Sequence, residues 1–144
     1  MKNNIYIING PNINMIGKRE KNIYGKYDIN KYLNNLKNKY KNVVNIITYY
    51  NNNEGNIIDY LYKYYNNNNN IGYIINLGAY THTSLAISDT IKTINLKTKI
   101  IEVHVSNIFN RESIRKNLLT SPYTNGIIIG FGLKSYKLAI LSLI

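Results

Sequence analysis

The hydrophobic and polar positions of this chain alternate between two kinds of segment. Some segments are short, nearly continuous apolar runs bounded by Gly, Pro or Asn, which is typical of buried strands. Others repeat apolar residues every three or four positions, which is typical of amphipathic helices. The predicted strands are Asn4–Asn9, Val43–Tyr50, Gly72–Asn76, Lys99–Val105 and Gly126–Gly130.

Helical spacing separates most of these runs. A first helix is predicted after Asp28, a plausible N-cap, with apolar residues from Ile29 to Tyr40. A second includes Ile57 to Tyr65 and ends at the Asn-rich run 66–70, which we expect to be a surface loop; a third covers Ser84–Thr93, and a last runs from about Leu133 to the C-terminus. Apolar strands, each followed by a helix, indicate a parallel sheet covered on both faces. About five strands predict a flavodoxin-like doubly wound α/β fold, and residues 1–144 show no linker or repeat that would divide them into domains.

Polar stretches follow four of the predicted strands. They read NGPNIN, YNNNEG, NLGAYTHTS and HVSN. Ligands of doubly wound sheets bind beyond the carboxyl ends of the strands. The sequence therefore predicts a single site where these stretches meet.

The chain is strongly basic, with 18 Lys and Arg against 7 Asp and Glu and a net charge of +11. Nucleic-acid binding is one explanation of such a charge. Compositional drift is another, because Asn, Lys, Ile and Tyr are abundant together, as in proteins from genomes rich in A and T. We favour drift and expect no nucleic-acid partner, since the lysines are scattered and no nucleic-acid-binding motif is present. A positive field would still attract a small anionic substrate.

Composition also indicates the cellular compartment in which we expect the protein. The chain has no Cys, and no apolar run reaches the ~18 residues of a membrane span. The first residues read as a strand and not as a signal peptide. We expect a cytoplasmic protein with no membrane partner.

One candidate for chemistry is the EVH sequence on the fourth predicted strand. Residues i and i+2 of a strand face the same way, so Glu102 and His104 should project together. A carboxylate fixes the tautomer of a neighbouring imidazole and favours its protonated form, which suits a general acid. The alternative is a structural histidine at a strand end, and the pair alone does not decide between them.

A second candidate is the segment GKREKNIYG, in which Gly17 and Gly25 bracket Arg19 and Tyr24. Flexible ends around a charged stretch are typical of a mobile lid. A nearby guanidinium would favour the phenolate of Tyr24 and allow it to act as a base. Against this, the chain has 15 Tyr, most of which must be structural.

Other motifs carry less information. His82, Thr83 and Ser84 precede a helix and could bind an anion or simply cap it. Two His and no Cys give poor support for a metal site, and GIIIGFG is interpreted as strand-to-helix packing. The three arginines, Arg19, Arg111 and Arg115, stand out among many lysines because guanidinium can bind a carboxylate or phosphate in two places.

Taken together, INGPNINMIGKREKNIYG, NNNEG, INLGAYTHTSLAISD, EVHVSNIFNRESIR and GIIIGFG resemble the type II 3-dehydroquinate dehydratases. The resemblance runs from about Ile5 to the last helix. It implies a flavodoxin-like fold and the dehydration of 3-dehydroquinate to 3-dehydroshikimate in the shikimate pathway, with no metal or organic cofactor. The glycine-flanked tyrosine, Tyr24, would be the base that forms an enolate, activated by Arg19. His104 would protonate the departing hydroxyl with support from Glu102, and Asn12 would hold a water near the enolate oxygen.

The resemblance also implies substrate contacts and an assembly. The implied contacts come from Asn76, His82, Val105, Ser106 and Arg115. Asp89 corresponds to a position that reaches the site of a neighbouring subunit, which implies trimers that assemble into a dodecamer. Arg111 is expected to be structural.

Three positions depart from the family pattern. Leu77 stands where Pro is usual, Asn53 replaces a common His, and Phe109 replaces another polar or aromatic residue. These are supporting positions, so they bear on loop rigidity and efficiency.

Two rival interpretations are a basic interaction module that has kept this fold and a flavodoxin-like nucleotide-binding protein; the second is disfavoured because no phosphate loop is present.

Overall fold

The computed structural model describes residues 2–18, 22 and 27–144. Its centre is a parallel sheet of five strands in the order β2-β1-β3-β4-β5. This order confirms the predicted flavodoxin-like doubly wound fold. The strands are β1 (Asn4–Asn9), β2 (Asn45–Tyr50), β3 (Asn70–Asn76), β4 (Ile100–His104) and β5 (Gly126–Ile129).

Most of the helices begin where the sequence supplies a cap. They are α1 (Ile29–Tyr40), α2 (Glu54–Tyr64), α3 (Tyr80–Thr83), α4 (Leu85–Ile94) and α5 (Lys134–Leu143). The predicted N-cap Asp28 accepts a hydrogen bond from the backbone N–H of Asn30 at 2.8 Å. Asn53 and Ser84 cap α2 and α4 in the same way. Each cap satisfies a backbone donor that has no partner inside its helix.

Two helices packed on each face of the sheet form two separate cores. On one face, Ile5, Ile7 and Val103 pack with α1 and α5 residues such as Leu33 and Ile140. On the other, Tyr6, Ile8 and Tyr73 pack with Leu61 of α2 and Ile91 of α4. Successive residues of β1 alternate between the two cores, so the central strands are buried on both sides, as their apolar runs predict.

Several predicted boundaries were wrong by one or two residues. β2 begins at Asn45 because the chain still turns at Val43, whose side chain is 60% exposed. β3 begins at Asn70, inside the Asn-rich run, where it pairs with Asn4. β4 spans only Ile100–His104.

The other corrections concern turns around helices. β5 ends at Ile129 because Gly130 turns the chain with a φ of 88°. The helix predicted from Ser84 begins at Leu85, because Ser84 is the N-cap of α4. The short helix α3 precedes it. The Asn-rich stretch after α2 forms an exposed turn, as expected. Within the described residues, no helix is both long and apolar enough to cross a membrane.

Candidate active site

Loops after three neighbouring strands meet at the carboxyl edge of the sheet around a narrow cavity of about 30 Å³. The strands are β1, β3 and β4, and the order of the sheet reverses between β1 and β3. This is where doubly wound folds bind ligands. The lining residues are Ile13, Asn76, Gly78, His82, His104, Val105, Ser106, Ile108, Arg111 and Arg115.

The last residue of β4, His104, is the candidate acid–base group of this cavity. The Nε2 of His104 lies 2.6 Å from Oε1 of Glu102, so the two side chains share one side of the strand as predicted. Because a carboxylate only accepts hydrogen bonds, Nε2 carries a proton and donates it to Glu102. This arrangement leaves Nδ1 as the ring atom available to a substrate.

The other partners of Glu102 come from a distant part of the chain. Its side chain is fully buried, and it accepts hydrogen bonds from Thr120 Oγ1 at 3.0 Å and Ser121 Oγ at 2.7 Å. The sequence interpretation missed both hydroxyls. No local pattern could have revealed them, since they lie 18 and 19 residues from Glu102 along the chain.

His82 is the second imidazole of the cavity. Its Nδ1 donates to the backbone carbonyl of Asn117 at 2.9 Å, and its ring centroid lies 6.3 Å from that of His104. Burial lowers the pKa of His82, and the nearby His104 and Arg115 lower it further, against the opposing effect of the Asn117 carbonyl. His82 is therefore neutral with the proton on Nδ1, and Nε2 can accept a hydrogen bond from a hydroxyl.

Asn76 ends β3 opposite Asn9 of β1. Its Nδ2 donates to the hydroxyl of Tyr136 at 2.9 Å, and that hydroxyl donates to Oδ1 of Asn9 at 2.7 Å. Burial raises the pKa of Tyr136 well above its ordinary value, so the phenol stays protonated and keeps its donor role. The sequence interpretation did not include Tyr136 or Asn9, and this chain of hydrogen bonds fixes the orientation of the Asn76 amide.

The lining is positively charged. Arg111 and Arg115 belong to it, and the described residues of the lining include no Asp or Glu. Nε of Arg115 donates to Oε2 of Glu112 at 2.9 Å, and this bond fixes one edge of the guanidinium. The backbone N–H of Glu112 and then Arg115 lower the pKa of the Glu112 carboxyl. Arg111, which is expected to be structural, also lines the cavity, with its side chain 13% exposed.

Three of the predicted site residues that the structure describes do not line the cavity: Glu102, which contacts His104, and Asn12 and Asp89. Asn12 is exposed, and among the described residues it is the one non-glycine with a positive φ, at 65°. Its backbone N–H donates to Oδ1 of Asn52, which ties the loop after β1 to the loop after β2 at 3.3 Å. Asp89 is exposed on α4. Arg19 and Tyr24, with Gly25, lie outside the described residues, whereas Gly17 is described and has a φ of 88°.

The loop after β2, expected at the site, supports it from outside the lining. Glu54, the first residue of α2, accepts a hydrogen bond from Ser84 Oγ, and the carbonyl of Asn52 accepts from the Tyr80 hydroxyl at 2.8 Å. Asn53, one of the departures from the family pattern, caps α2.

The other two departures have different surroundings. Leu77 is fully buried in the core, and Phe109 is 51% exposed.

The turn after β5 also supports the site. The N–H of Gly130 donates to the carbonyl of His104, and that of Gly132 donates to Val105, both at 3.0 Å. Both glycines have positive φ, 88° and 60°. The GIIIGFG motif therefore does more than the predicted packing, since it anchors the backbone beside the general-acid candidate.

Other parts of the molecule are less suited to catalysis. A larger cavity of about 570 Å³ lies at the amino ends of β1 and β2 and is lined mainly by lysine, asparagine and aliphatic side chains. The described part of the chain has no group of three His, Cys, Asp or Glu side chains that could hold a metal ion. The acid–base groups and arginines are gathered at the smaller cavity.

The fold and the site define a flavodoxin-like α/β protein with a cationic cavity and a carboxylate–imidazole pair, an arrangement suited to acid–base chemistry on an anion. Residues 3–144 match the family model described as dehydroquinase class II. The chain is 47% identical over 140 residues to the 3-dehydroquinate dehydratase of Caldicellulosiruptor saccharolyticus, covering 96% of this chain and 94% of that protein. It is 48% identical over 140 residues to the 3-dehydroquinate dehydratase of Clostridium beijerinckii, with the same coverage.

Solved structures agree with these relatives. The type II dehydroquinase of Butyrivibrio crossotus superposes with a TM-score of 0.90 at 46% identity, over 99% of this chain and 97% of that one. The type II dehydroquinase of Propionibacterium acnes has a TM-score of 0.91 at 29% identity and the same coverage. The chain belongs to the class II dehydroquinase family, and the resemblance drawn from its motifs is confirmed.

Proposed function

We propose that this chain catalyses the dehydration of 3-dehydroquinate to 3-dehydroshikimate in the shikimate pathway, as a single catalytic domain of residues 1–144 in the cytoplasm. The observation that carries the proposal is the His104–Glu102 pair, joined at 2.6 Å, in a cavity lined by two arginines. The pair offers a proton donor, and the arginines give the cavity a positive charge that favours an anionic substrate. The naming of the relatives supports the same reaction.

The reaction begins with removal of a proton from the carbon next to the ketone. Tyr24 takes this proton as its phenolate, which the guanidinium of Arg19 stabilises. The electrons of the broken C–H bond form an enolate, and a water held by Asn12 donates a hydrogen bond to the enolate oxygen. Positioned donors of this kind stabilise charge that develops in the transition state.

The second step expels the hydroxyl group. The enolate re-forms the ketone, the C–O bond breaks, and His104 gives a proton to the departing oxygen, so water leaves. Nδ1 is the atom suited to this transfer, because Nε2 already donates to Glu102. Glu102 stabilises the imidazolium before the transfer and keeps Nε2 protonated after it. Tyr24 and His104 then regain their starting protonation states by exchange with solvent.

Substrate binding uses the remaining polar groups of the cavity. The substrate carboxylate contacts Ser106 and the backbone around Val105, while ring hydroxyls contact Asn76, His82 and Arg115. The neutral state of His82 supports this role, since its Nε2 can accept a hydrogen bond from a substrate hydroxyl. No metal or organic cofactor takes part in this scheme.

We also propose a closed oligomer, a dodecamer built from trimers, in which Asp89 enters the site of a neighbouring subunit. Asp89 is exposed on α4, and Leu85, one helical turn before it, is 68% exposed. An apolar side chain beside a carboxylate on one exposed helix face supports a contact with another copy. Sedimentation at assay concentration measures the assembly, and a fully active monomer would rule it out.

The direct experiment is ultraviolet absorbance after mixing the purified protein with 3-dehydroquinate, because the conjugated product absorbs strongly. We expect absorbance to rise, and to rise equally after dialysis against a chelator. The matched control is His104→Ala, which should be folded by circular dichroism and nearly inactive. Flat absorbance with folded wild-type protein would reject the proposed reaction, and a loss of activity after chelation would reject a metal-free mechanism.

A further inference from the structure

The carboxylate of Glu102 is held by hydroxyl groups as well as by His104. It is 0% exposed, and its Oε1 accepts from both His104 Nε2 at 2.6 Å and Ser121 Oγ at 2.7 Å. Its Oε2 accepts from Thr120 Oγ1 at 3.0 Å. Thr120 is 0% exposed and Ser121 is 7% exposed, so water does not compete for these bonds.

Such a carboxylate depends on its donors. Removing an ionised group from water is costly unless hydrogen bonds replace its hydration. Among the described residues, no Lys or Arg forms a salt bridge with Glu102, and its ion-pair partner is His104. The two hydroxyls therefore supply the donors to Glu102 other than His104 Nε2–H.

The residues that carry these hydroxyls are themselves anchored. They end the segment 117–121, which starts with the carbonyl of Asn117 that accepts from His82 Nδ1 at 2.9 Å. In its middle, Leu119 N–H donates to the carbonyl of Thr81 at 2.9 Å, and Ser88 Oγ donates to the carbonyl of Leu119 at 2.8 Å. Hydrogen bonds thus hold the segment against α3 and α4. The segment binds His82 directly through Asn117, and it reaches His104 through Glu102.

We propose that Thr120 and Ser121 are positioning residues for the dehydration. Their hydroxyls hold the Glu102 carboxylate in the orientation that accepts the hydrogen bond from His104 Nε2–H, and this bond turns Nδ1 of His104 towards the departing hydroxyl of the substrate. They touch neither substrate nor reacting atoms and act only through Glu102. This inference rests on the proposed function for its kinetic consequences, but the hydrogen bonds can be tested without turnover.

The kinetic test uses Thr120→Val, Ser121→Ala and the double variant. A hydrogen bond to a charged group contributes enough for each single variant to lose about tenfold in kcat, and the double variant about a hundredfold or more. KM should stay within about twofold, since no substrate contact is removed. Thr120→Ser, which keeps its hydroxyl, should retain most of the wild-type kcat.

Two controls separate this effect from the loss of any buried hydroxyl. Thr98 is 4% exposed and donates to the carbonyl of Tyr65, whereas Ser135 is 0% exposed and its Oγ has no hydrogen-bond partner among the described residues. Thr98→Val and Ser135→Ala should leave kcat unchanged.

In a Glu102→Gln background, Ser121→Ala should cause little further loss of kcat, because the effects of residues that act through one group are not additive.

A spectroscopic test needs no activity. The chain has only two His, so a protein labelled with ¹⁵N in histidine gives two simple sets of imidazole signals. We expect wild-type His104 to show a strongly hydrogen-bonded Nε2–H, and the double variant to show a weaker bond and some Nδ1–H tautomer. His82 should keep its signal and serves as the internal reference.

The outcomes are separable. A folded double variant with wild-type kcat and unchanged His104 signals would overturn the proposal. An inactive wild-type protein would reject the proposed function, while the spectra would still report on the Glu102 contacts. If the double variant does not fold, the single variants in the wild-type and Glu102→Gln backgrounds decide, and equal losses in both backgrounds would count against the proposal.

Discussion

The variant Tyr136→Phe tests the buried chain of hydrogen bonds that orients Asn76. It removes one oxygen, which now donates to Asn9 at 2.7 Å and accepts from Asn76 at 2.9 Å. The phenyl ring stays in the core beside Ile140 and Val103. The change therefore leaves two amide groups without their partner and alters little else.

The magnitude follows from the burial of those amides. Asn9 is 6% exposed and Asn76 is 3% exposed. A buried polar group that loses its partner costs ~1–3 kcal/mol, with the lower value suited to Asn76 because a water in the cavity can replace the hydroxyl. We expect a total loss of about 2–4 kcal/mol in the free energy of unfolding, or roughly 5–15 °C in Tm.

Activity should change through binding. Once the Asn76 amide is released, it can rotate, and one substrate hydrogen bond becomes weaker. We expect KM to rise by roughly threefold to tenfold, equivalent to ~0.6–1.4 kcal/mol, with a smaller fall in kcat. Denaturant unfolding at a fixed protein concentration and steady-state kinetics measure the two effects.

Tyr40→Phe is the matched control. Tyr40 is 8% exposed in the same core, but its hydroxyl has no hydrogen bond to a described residue. This variant should keep nearly the wild-type stability and KM. If Tyr136→Phe behaved like the control in both measurements, the hydrogen-bonded chain would have no role in orienting Asn76.

Four further predictions concern the chemistry and the assembly. His104→Ala should lower kcat by ~10²–10⁴-fold in steady-state assays, and a near-normal kcat would assign His104 to structure. Tyr24→Phe should be nearly inactive and Arg19→Lys severely impaired, while calorimetry shows that both still bind a non-reacting substrate analogue; substantial kcat in Tyr24→Phe would mean that another residue is the base. Burial lowers the pKa of His82 below its ordinary 6.5, so the unfolded chain binds a proton more readily and stability should fall as pH drops below that value. Between about pH 7 and pH 5, the free energy of unfolding should depend less on pH in His82→Asn than in the wild type. An equal dependence in the two proteins would contradict the lowered pKa of His82. Mixing inactive Asp89→Ala with inactive His104→Ala subunits should restore part of the activity, and no recovery despite confirmed subunit exchange would argue against a shared site.

Local patterns were sufficient to predict most of the fold. The apolar runs identified all five strands, because central strands of a parallel sheet are buried on both faces. Asp28 marked the start of α1 because its side chain accepts the first free backbone donor. The errors fell at ends such as Val43 and Asn70, where pairing with another strand decides the boundary and the residue's own preference does not.

A local period or a spacing of two residues was enough to predict the succession of strands and helices along the chain, a candidate site at the carboxyl edge of the sheet, and the pairing of Glu102 with His104. The groups that complete this candidate site could be found only from the folded structure. Tyr136 reaches Asn9 across 127 residues of chain, Asn117 reaches His82 across 35, and Ser121 reaches Glu102 across 19. Such contacts depend on how the sheet stacks its helices and returns its loops to one edge. Tyr136 is one of 15 tyrosines, and only packing distinguishes it from the others, since hydrogen-bond partners so far apart in the chain have no spacing that a sequence can reveal.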